Sequence, residues 1–156
     1  MRIGLISDTH GRLRPEVFHV FAGVDRIIHA GDVGSPDILV ELAAIAEVTA
    51  VIGNTDGFDL IDRLPEQTAV DAAGWRIEIE HGHRIAGGPR PAPLRERHPD
   101  ADVIVYGHTH RPLEDRAGGA IVVNPGAAGP PRFDLRPSVA ILSLNGDRAT
   151  VAFHEL

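Results

Sequence analysis

Five short apolar runs in this chain each stop at a side chain able to bind a metal ion, and that recurrence constrains the fold more than any other feature. Ile3-Gly4-Leu5-Ile6-Ser7 runs into Asp8-Thr9-His10. Ile27-Ile28-His29-Ala30-Gly31 ends in Asp32, and Val51-Ile52-Gly53 ends in Asn54. Ile77-Glu78-Ile79-Glu80 ends in His81, and Val103-Ile104-Val105-Tyr106-Gly107 ends in His108-Thr109-His110. Runs of this length and composition read as buried strands. In open α/β sheets, ligands bind beyond the carboxyl ends of the strands. Gly31, Gly53 and Gly107 directly precede donors and Gly82 follows His81, so backbones can crowd around a small site there. In an extended segment, residues two apart point the same way. Asp8 with His10, and His108 with His110, are therefore each expected to aim two donors at one place.

The remaining elements follow from periodicity. Pro15 opens a helix with Val17, Phe18 and Phe21 expected on its packed face, Pro being tolerated in a first turn. Arg26 to Ala30 reads as a second strand and Val48 to Ile52 as a third. Between them Ser35-Pro36-Asp37 supplies an N-cap, a first-turn Pro and a carboxylate matched to the helix dipole. Ile38, Leu42 and Ala46 follow at helical spacing. This β-α-β-α-β order implies a parallel sheet with right-handed crossovers. Further on, Gln67 to Asp71 and Trp75 to Glu80 flank an Ala73-Gly74 turn. A short helix is expected from Leu94 to His98, and Asp102 to Tyr106 and Ala120 to Val123 are apolar runs. Val139 to Leu144 and Arg148 to His154 are expected to meet through Asn145-Gly146. The expectation is a single α/β domain spanning 1–156, with a parallel half followed by an antiparallel half.

Composition excludes several kinds of chemistry. The 156 residues contain no Cys, which removes disulfides, thiolate zinc sites, iron–sulfur clusters and a cysteine nucleophile. All fifteen basic residues are Arg, so the lysine of a P-loop and a Schiff-base lysine are absent. No two glycines are separated by one residue, which rules out the dinucleotide fingerprint, and none of the four serines lies in a G-x-S-x-G elbow. A formal charge of -7 without a basic run argues against binding duplex nucleic acid or anionic lipid through the general field. No apolar run approaches a membrane span, and the start is wrong for a signal peptide, so a cytoplasmic location is expected.

The strand-end donors comprise two carboxylates, four imidazoles and one amide. One zinc site needs only three or four protein ligands. Seven divide naturally into two sites sharing a carboxylate. Two divalent ions facing two carboxylates leave a net positive centre suited to hydroxide and phosphate. A His/carboxylate mixture without thiolates suits Mn, Fe, Co, Ni or Zn better than Ca or Mg alone.

In order, Asp8-x-His10, Gly31-Asp32, Gly53-Asn54, His81 and Gly107-His108-Thr109-His110 resemble the motifs of the calcineurin-like metallophosphoesterases. The small size, Gly53-Asn54-Thr55-Asp56, His81-Gly82-His83 and Asn124-Pro125-Gly126 look like its compact bacterial and archaeal phosphodiesterase branch. The resemblance implies a four-layer α-β-β-α sandwich with mixed sheets and a dinuclear centre at the strand ends. It further implies that Asp8, His10 and His110 bind one divalent transition-metal ion. Asn54, His81 and His108 would bind the other, with Asp32 bridging and manganese the first expectation for both ions. A hydroxide acidified by the ions would attack phosphorus in line with the leaving group, with Asp32 and Asn54 catalytic and Asn54 touching a phosphate oxygen.

One position departs from the family pattern. Many members carry His directly after the motif Asn, where it protonates the leaving oxygen, whereas this chain has Thr55. A threonine hydroxyl is no general acid near neutral pH. Thr55, Asp56 and His83 are expected beside the substrate, with His83 or water supplying the proton. His29 is expected to be buried and hydrogen-bonded. His19, His98 and His154 are expected to be structural or exposed, and Tyr106 and Trp75 to be packing residues. Arg90, Arg95, Arg97, Arg132 and Arg136 read first as a solvated rim. The expected partner is a phosphoester substrate, and sheet-edge pairing leaves a homo-oligomer open. The alternative function is a noncatalytic protein-interaction scaffold that retains the fold.

Overall fold

The computed structural model describes residues 1–132 and 134–156. Two five-stranded sheets lie face to face. The first has the order β10-β9-β1-β2-β3. It contains β1 (Arg2–Ile6), β2 (Arg26–His29), β3 (Glu47–Ala50), β9 (Ser138–Asn145) and β10 (Arg148–Glu155). The second has the order β4-β5-β6-β8-β7, formed by β4 (Gln67–Ala72), β5 (Trp75–Glu80), β6 (Val103–Val105), β7 (Leu113–Asp115) and β8 (Ile121–Asn124). Helices α1 (Glu16–Val20), α2 (Pro36–Ala43) and α3 (Phe58–Ile61) serve the first sheet, and α4 (Pro91–Arg97) serves the second.

Strand alternation builds the layers. Ile3, Leu5, Ile28 and Ala30 face one way and meet Ile77, Ile79, Val103, Val105 and Val123 of the opposite sheet in a central core. The other face of the first sheet, with Ile6, Ile27, Val139 and Ile141, is covered by Val17 and Phe21 at α1, Ile38 and Leu42 of α2, and Leu60 of α3. Leu94 of α4 packs with Ile104, Tyr106 and Val122 on the outer face of the second sheet. The result is the four-layer α-β-β-α sandwich. No described helix is long and apolar enough to cross a membrane.

The parallel β1-β2-β3 arrangement stands as expected. Ser35 caps α2, its hydroxyl accepting the Asp37 N–H at 3.3 Å, an interaction worth about 1 kcal/mol. Ala73 and Gly74 both take positive φ in the β4–β5 turn, the backbone a two-residue hairpin requires.

Several expectations need correction. The later half is not simply antiparallel: β5, β6 and β8 run parallel, with antiparallel β4 and β7 only at the edges. The last hairpin returns to the first sheet, where β9 pairs antiparallel with β1. Its two-residue loop is Gly146-Asp147, because Asn145 pairs with Arg148, and Gly146 supplies the positive φ at the first loop position. Phe18 is exposed: Val17 and Phe21 are four apart and share the packed face, while Phe18 lies a third of a turn round from Val17. Ala46 lies beyond the end of α2, and α4 begins at Pro91 rather than Leu94. In β3 the ladder ends at Ala50, because Ile52 N–H has turned to the Pro65 carbonyl on the way to the site.

Candidate metal centre

The seven strand-end donors converge. The Oδ2 of Asp8 accepts the His108 N–H at 3.1 Å, while its Oδ1 lies 3.2 Å from His110 Nε2 and 4.0 Å from His81 Nε2. His10 and His110 bring their Nε2 atoms to 3.5 Å. Asp32 Oδ2 sits 3.3 Å from His81 Nε2 and 3.9 Å from His10 Nε2, so it faces both ends of the cluster. Asn54 Oδ1 lies 3.2 Å from His81 Nε2 and 3.1 Å from His108 Nδ1. Two groups have spacing able to hold an ion: Asp8, His10 and His110, and Asp8, Asp32 and His81. Asp8 thus belongs to both, a sharing that the motif order had assigned to Asp32 alone.

The way the donors converge differs from the extended geometry anticipated. Asp8, His10, Asp32, His108 and His110 all have φ between +47° and +69°, and Ala73 is the sole other described non-glycine residue with positive φ. In this left-handed region the chain turns sharply after each strand. Asp and His tolerate it better than β-branched or bulky residues. Strain gathered at five donors is what a functional cluster looks like when surrounding structure holds it in place.

That surrounding structure is visible. His81 Nδ1 lies 2.8 Å from the Ala30 carbonyl, an acceptor only, so Nδ1 carries the proton and Nε2 is turned to the cluster. Gly53 and Gly107 permit close approach of backbones. A Cβ on Gly53 would overlap Asp32 Oδ1 and N, and one on Gly107 would lie 2.8 Å from the Ala30 carbonyl oxygen and 2.9 Å from Asp8 Oδ2. Asn124, buried at the end of β8, donates from Nδ2 to the Gly107 carbonyl at 2.8 Å and to the Thr109 hydroxyl at 3.0 Å. Its Oδ1 accepts the Gly126 N–H at 2.9 Å, so one amide shapes the loop carrying His108 and His110. The Asn-Pro-Gly sequence hinted at a turn but not at this anchoring.

Electrostatics fit a site waiting for cations. Burial works to raise the Asp32 carboxyl, but the hydrogen bond and charge of His81 win and hold it well below the usual carboxylate range. Burial opposes protonation of His81, yet Asp32 and Asp8 push its pKa up. Burial, followed by the charge of His81, lowers His83 and His108. Burial also lowers His10. Asp8 Oδ1 is the decisive atom: it is fully buried and has no hydrogen-bond partner among the described residues. Leaving a buried carboxylate oxygen unpaired costs kcal/mol unless something charged meets it. A divalent ion held by Asp8 Oδ1 with His10 and His110, or with Asp32 and His81, would satisfy it, so the residues fit the group that the motifs imply.

The chain's matches agree with this geometry. The family model for the calcineurin-like phosphoesterase superfamily domain matches residues 1–147. The chain belongs to that superfamily. A probable metallophosphoesterase of Methanothermobacter thermautotrophicus is 36% identical over 95% of this chain and 88% of its own length. The phosphodiesterase YfcE of Escherichia coli is 30% identical over 85% of this chain and 82% of its own. Among solved structures, the Vps29 D62A variant from Entamoeba histolytica superposes with a TM-score of 0.86 at 25% identity, covering 100% of this chain and 93% of that one. The fold is thus that of a hydrolase superfamily, with candidate metal donors brought together at its strand ends.

The less certain site residues divide. His83 stands beside the cluster, its ring 5.5 Å from that of His81 and 6.4 Å from that of His108. Thr55 also lies at the site: its N–H donates to Asp32 Oδ1 at 2.9 Å and its hydroxyl is 3.4 Å from His10 Nδ1. Asp56 does not face a substrate. It is buried, with Oδ1 accepting the Gly34 N–H and Oδ2 the Gly53 N–H. His29 is buried and bonded to Thr9. His98 is buried against Glu80 at 2.7 Å, and Arg97 and Arg95 pair with Glu80 and Asp115, so these two arginines hold α4 rather than forming a rim. A groove of about 640 Å³ lined by Pro112, Leu113, Asp134, Arg136, Phe153 and Glu155 contains none of the seven donors.

Proposed function

We propose that this chain is a phosphodiesterase working with two divalent transition-metal ions, manganese first among them. The observation that carries the reading is the buried Oδ1 of Asp8, without a hydrogen-bond partner among the described residues, where the imidazoles of His10, His81 and His110 meet. Asp8, His10 and His110 would hold one ion, and Asn54, His81 and His108 the other. The position of Asp32 Oδ2 between His81 and His10 supports its role as the bridge. When bound, the ion pair supplies Lewis acidity, lowering the pKa of a water molecule and neutralising charge on the phosphoryl group.

The chain's own groups do the rest. Asn54 presents Oδ1 to the histidines, which leaves its Nδ2 to donate to a phosphoryl oxygen. The buried shell formed by Ala30, Asn124 and Asp56 holds the donors rigid, so little reorganisation is needed as charge develops. Thr55 occupies the position from which family members protonate the leaving oxygen. The reaction therefore favours esters whose leaving group departs without a proton, with His83, beside the rings of His81 and His108, assisting others.

The test is hydrolysis of bis(4-nitrophenyl) phosphate and 4-nitrophenyl phosphate with added Mn, with chelator, and with Asp32→Ala. Metal-dependent turnover of the diester, lost with chelator and in the variant, is expected. Hydrolysis insensitive to both would overturn the proposal. Tight metal binding without turnover of either ester, together with a stable protein partner, would favour the scaffold reading.

A further inference from the structure

Four arginines lie on the loops that carry His10 and His110 or on the segment seated against them. Arg12 lies in the turn closed by its N–H on the Thr9 carbonyl at 2.9 Å. Arg111 follows His110, its N–H 3.4 Å from the Thr109 hydroxyl. Arg14 donates from Nε to the Gly129 carbonyl at 3.4 Å. Gly129 in turn donates its N–H to the Asp8 carbonyl at 3.1 Å, and a Cβ on it would overlap the Thr9 carbonyl oxygen. The segment leading to Arg132 is thus seated on the Asp8-Thr9-His10 loop.

These four are also unspent. Arg26, Arg76, Arg84, Arg95, Arg97, Arg116 and Arg136 each have a carboxylate within 4 Å. Among the described residues Arg12, Arg14, Arg111 and Arg132 have none. Of the fifteen arginines, Arg2, Arg63, Arg90 and Arg148 also have no carboxylate this close among the described residues, so what distinguishes Arg12, Arg14, Arg111 and Arg132 is their place on the loops that carry or touch His10 and His110. Four left unpaired around one flank of a phosphoester site have the composition of an anion-binding surface. Guanidinium groups, with planar forks of N–H donors, match phosphate oxygens.

We propose that this flank is a second phosphate subsite, occupied by a further phosphate group on the same small molecule that carries the scissile diester. The proposal rests on the phosphodiesterase reading. A nucleotide-sized substrate fits better than a nucleic-acid strand. The four belong only to the His10 and His110 loops and the segment seated on them, while a formal charge of -7 repels an extended polyanion.

The experiment compares thymidine 5′-(4-nitrophenyl phosphate) with its 3′-phosphorylated analogue, which share a leaving group and differ by one phosphate. The manganese-loaded enzyme is expected to prefer the 3′-phosphorylated ester in kcat/KM by about tenfold or more, the effect of one charge-assisted hydrogen bond. The Arg111→Gln/Arg132→Gln variant should lose that preference. Arg136→Gln, whose ion pair with Glu155 lies in the groove that contains none of the seven donors, should keep it. A second readout is calorimetric binding to the full-length, metal-free protein. There thymidine 3′,5′-bisphosphate should bind more tightly than thymidine 5′-monophosphate, and the double variant should erase the difference. Equal kcat/KM and equal affinity for the paired ligands would overturn the subsite, as would a preference that survives in the double variant. Tighter binding of oligothymidylate than of the bisphosphate, with a steep salt dependence, would overturn the small-molecule assignment. If neither ester is hydrolysed, the phosphodiesterase reading fails, and the binding comparison still decides whether the arginines hold phosphate.

Discussion

Asp56 accepts the backbone N–H of Gly34 on its Oδ1 at 2.7 Å. Its Oδ2 accepts the Gly53 N–H at 2.8 Å, so one buried carboxylate ties together the loops bearing Asp32 and Asn54. Two of the proposed ligands owe their spacing to a side chain that touches neither of them.

Asp56→Asn keeps the shape but offers one carbonyl oxygen to two N–H donors, and turns an NH2 toward the other. Stability of the metal-free protein is expected to fall by about 1–3 kcal/mol, with weaker Mn binding. Urea denaturation and calorimetry would measure these. A variant matching the wild type in both would show that the clamp is dispensable.

Gly53 has no room for a side chain, because a Cβ there would overlap Asp32 Oδ1 and N. Gly53→Ala is expected to displace Asp32, at a cost of roughly 1–3 kcal/mol in stability, and to lower Mn affinity by more than the stability loss alone would. Unchanged affinity in a folded variant would show that Asp32 is not positioned by this contact.

Thr55→His restores an imidazole at a position whose N–H already bonds Asp32 and whose hydroxyl faces His10. Turnover of alkyl phosphoesters should rise more than that of aryl esters, since only the poorer leaving group needs the proton. Equal gains on both, or none, would remove leaving-group protonation as the consequence of Thr55.

His29 sets a pH dependence on the fold itself. The Thr9 hydroxyl donates to the Val33 carbonyl at 2.8 Å, so it accepts from His29 Nε2–H at 2.9 Å, leaving Nδ1 unprotonated and without a partner among the described residues. Burial pushes this imidazole down from 6.5 to about 4. Unfolded, His29 takes up a proton as pH falls through 6.5, but the folded protein resists until about 4. Stability is therefore lost between those values, by roughly 3 kcal/mol from this group. The metal-free His29→Leu variant should show a flatter stability profile over that window. Parallel profiles for the two proteins would refute the assignment.

Much of this protein is written locally. Each of the five runs is apolar enough to bury, and each ends in a donor, so residue types alone announce a metal centre at strand ends. The first three strands also declare their parallel order through the helices between them. Pairing across long sequence separation leaves no such mark. That β9 lies against β1, or that β5, β6 and β8 run parallel, follows from how two sheets share a core. Asp8, His10, His108 and His110 are legible as donors, but their left-handed backbone is not, because φ is set by the neighbours that hold each loop. Identity and period belong to the chain. The clamp by Asp56, the sharing of Asp8 between two donor groups and the unpaired arginines beside His10 exist only once distant loops are pressed together, since each depends on atoms that sequence adjacency never brings near.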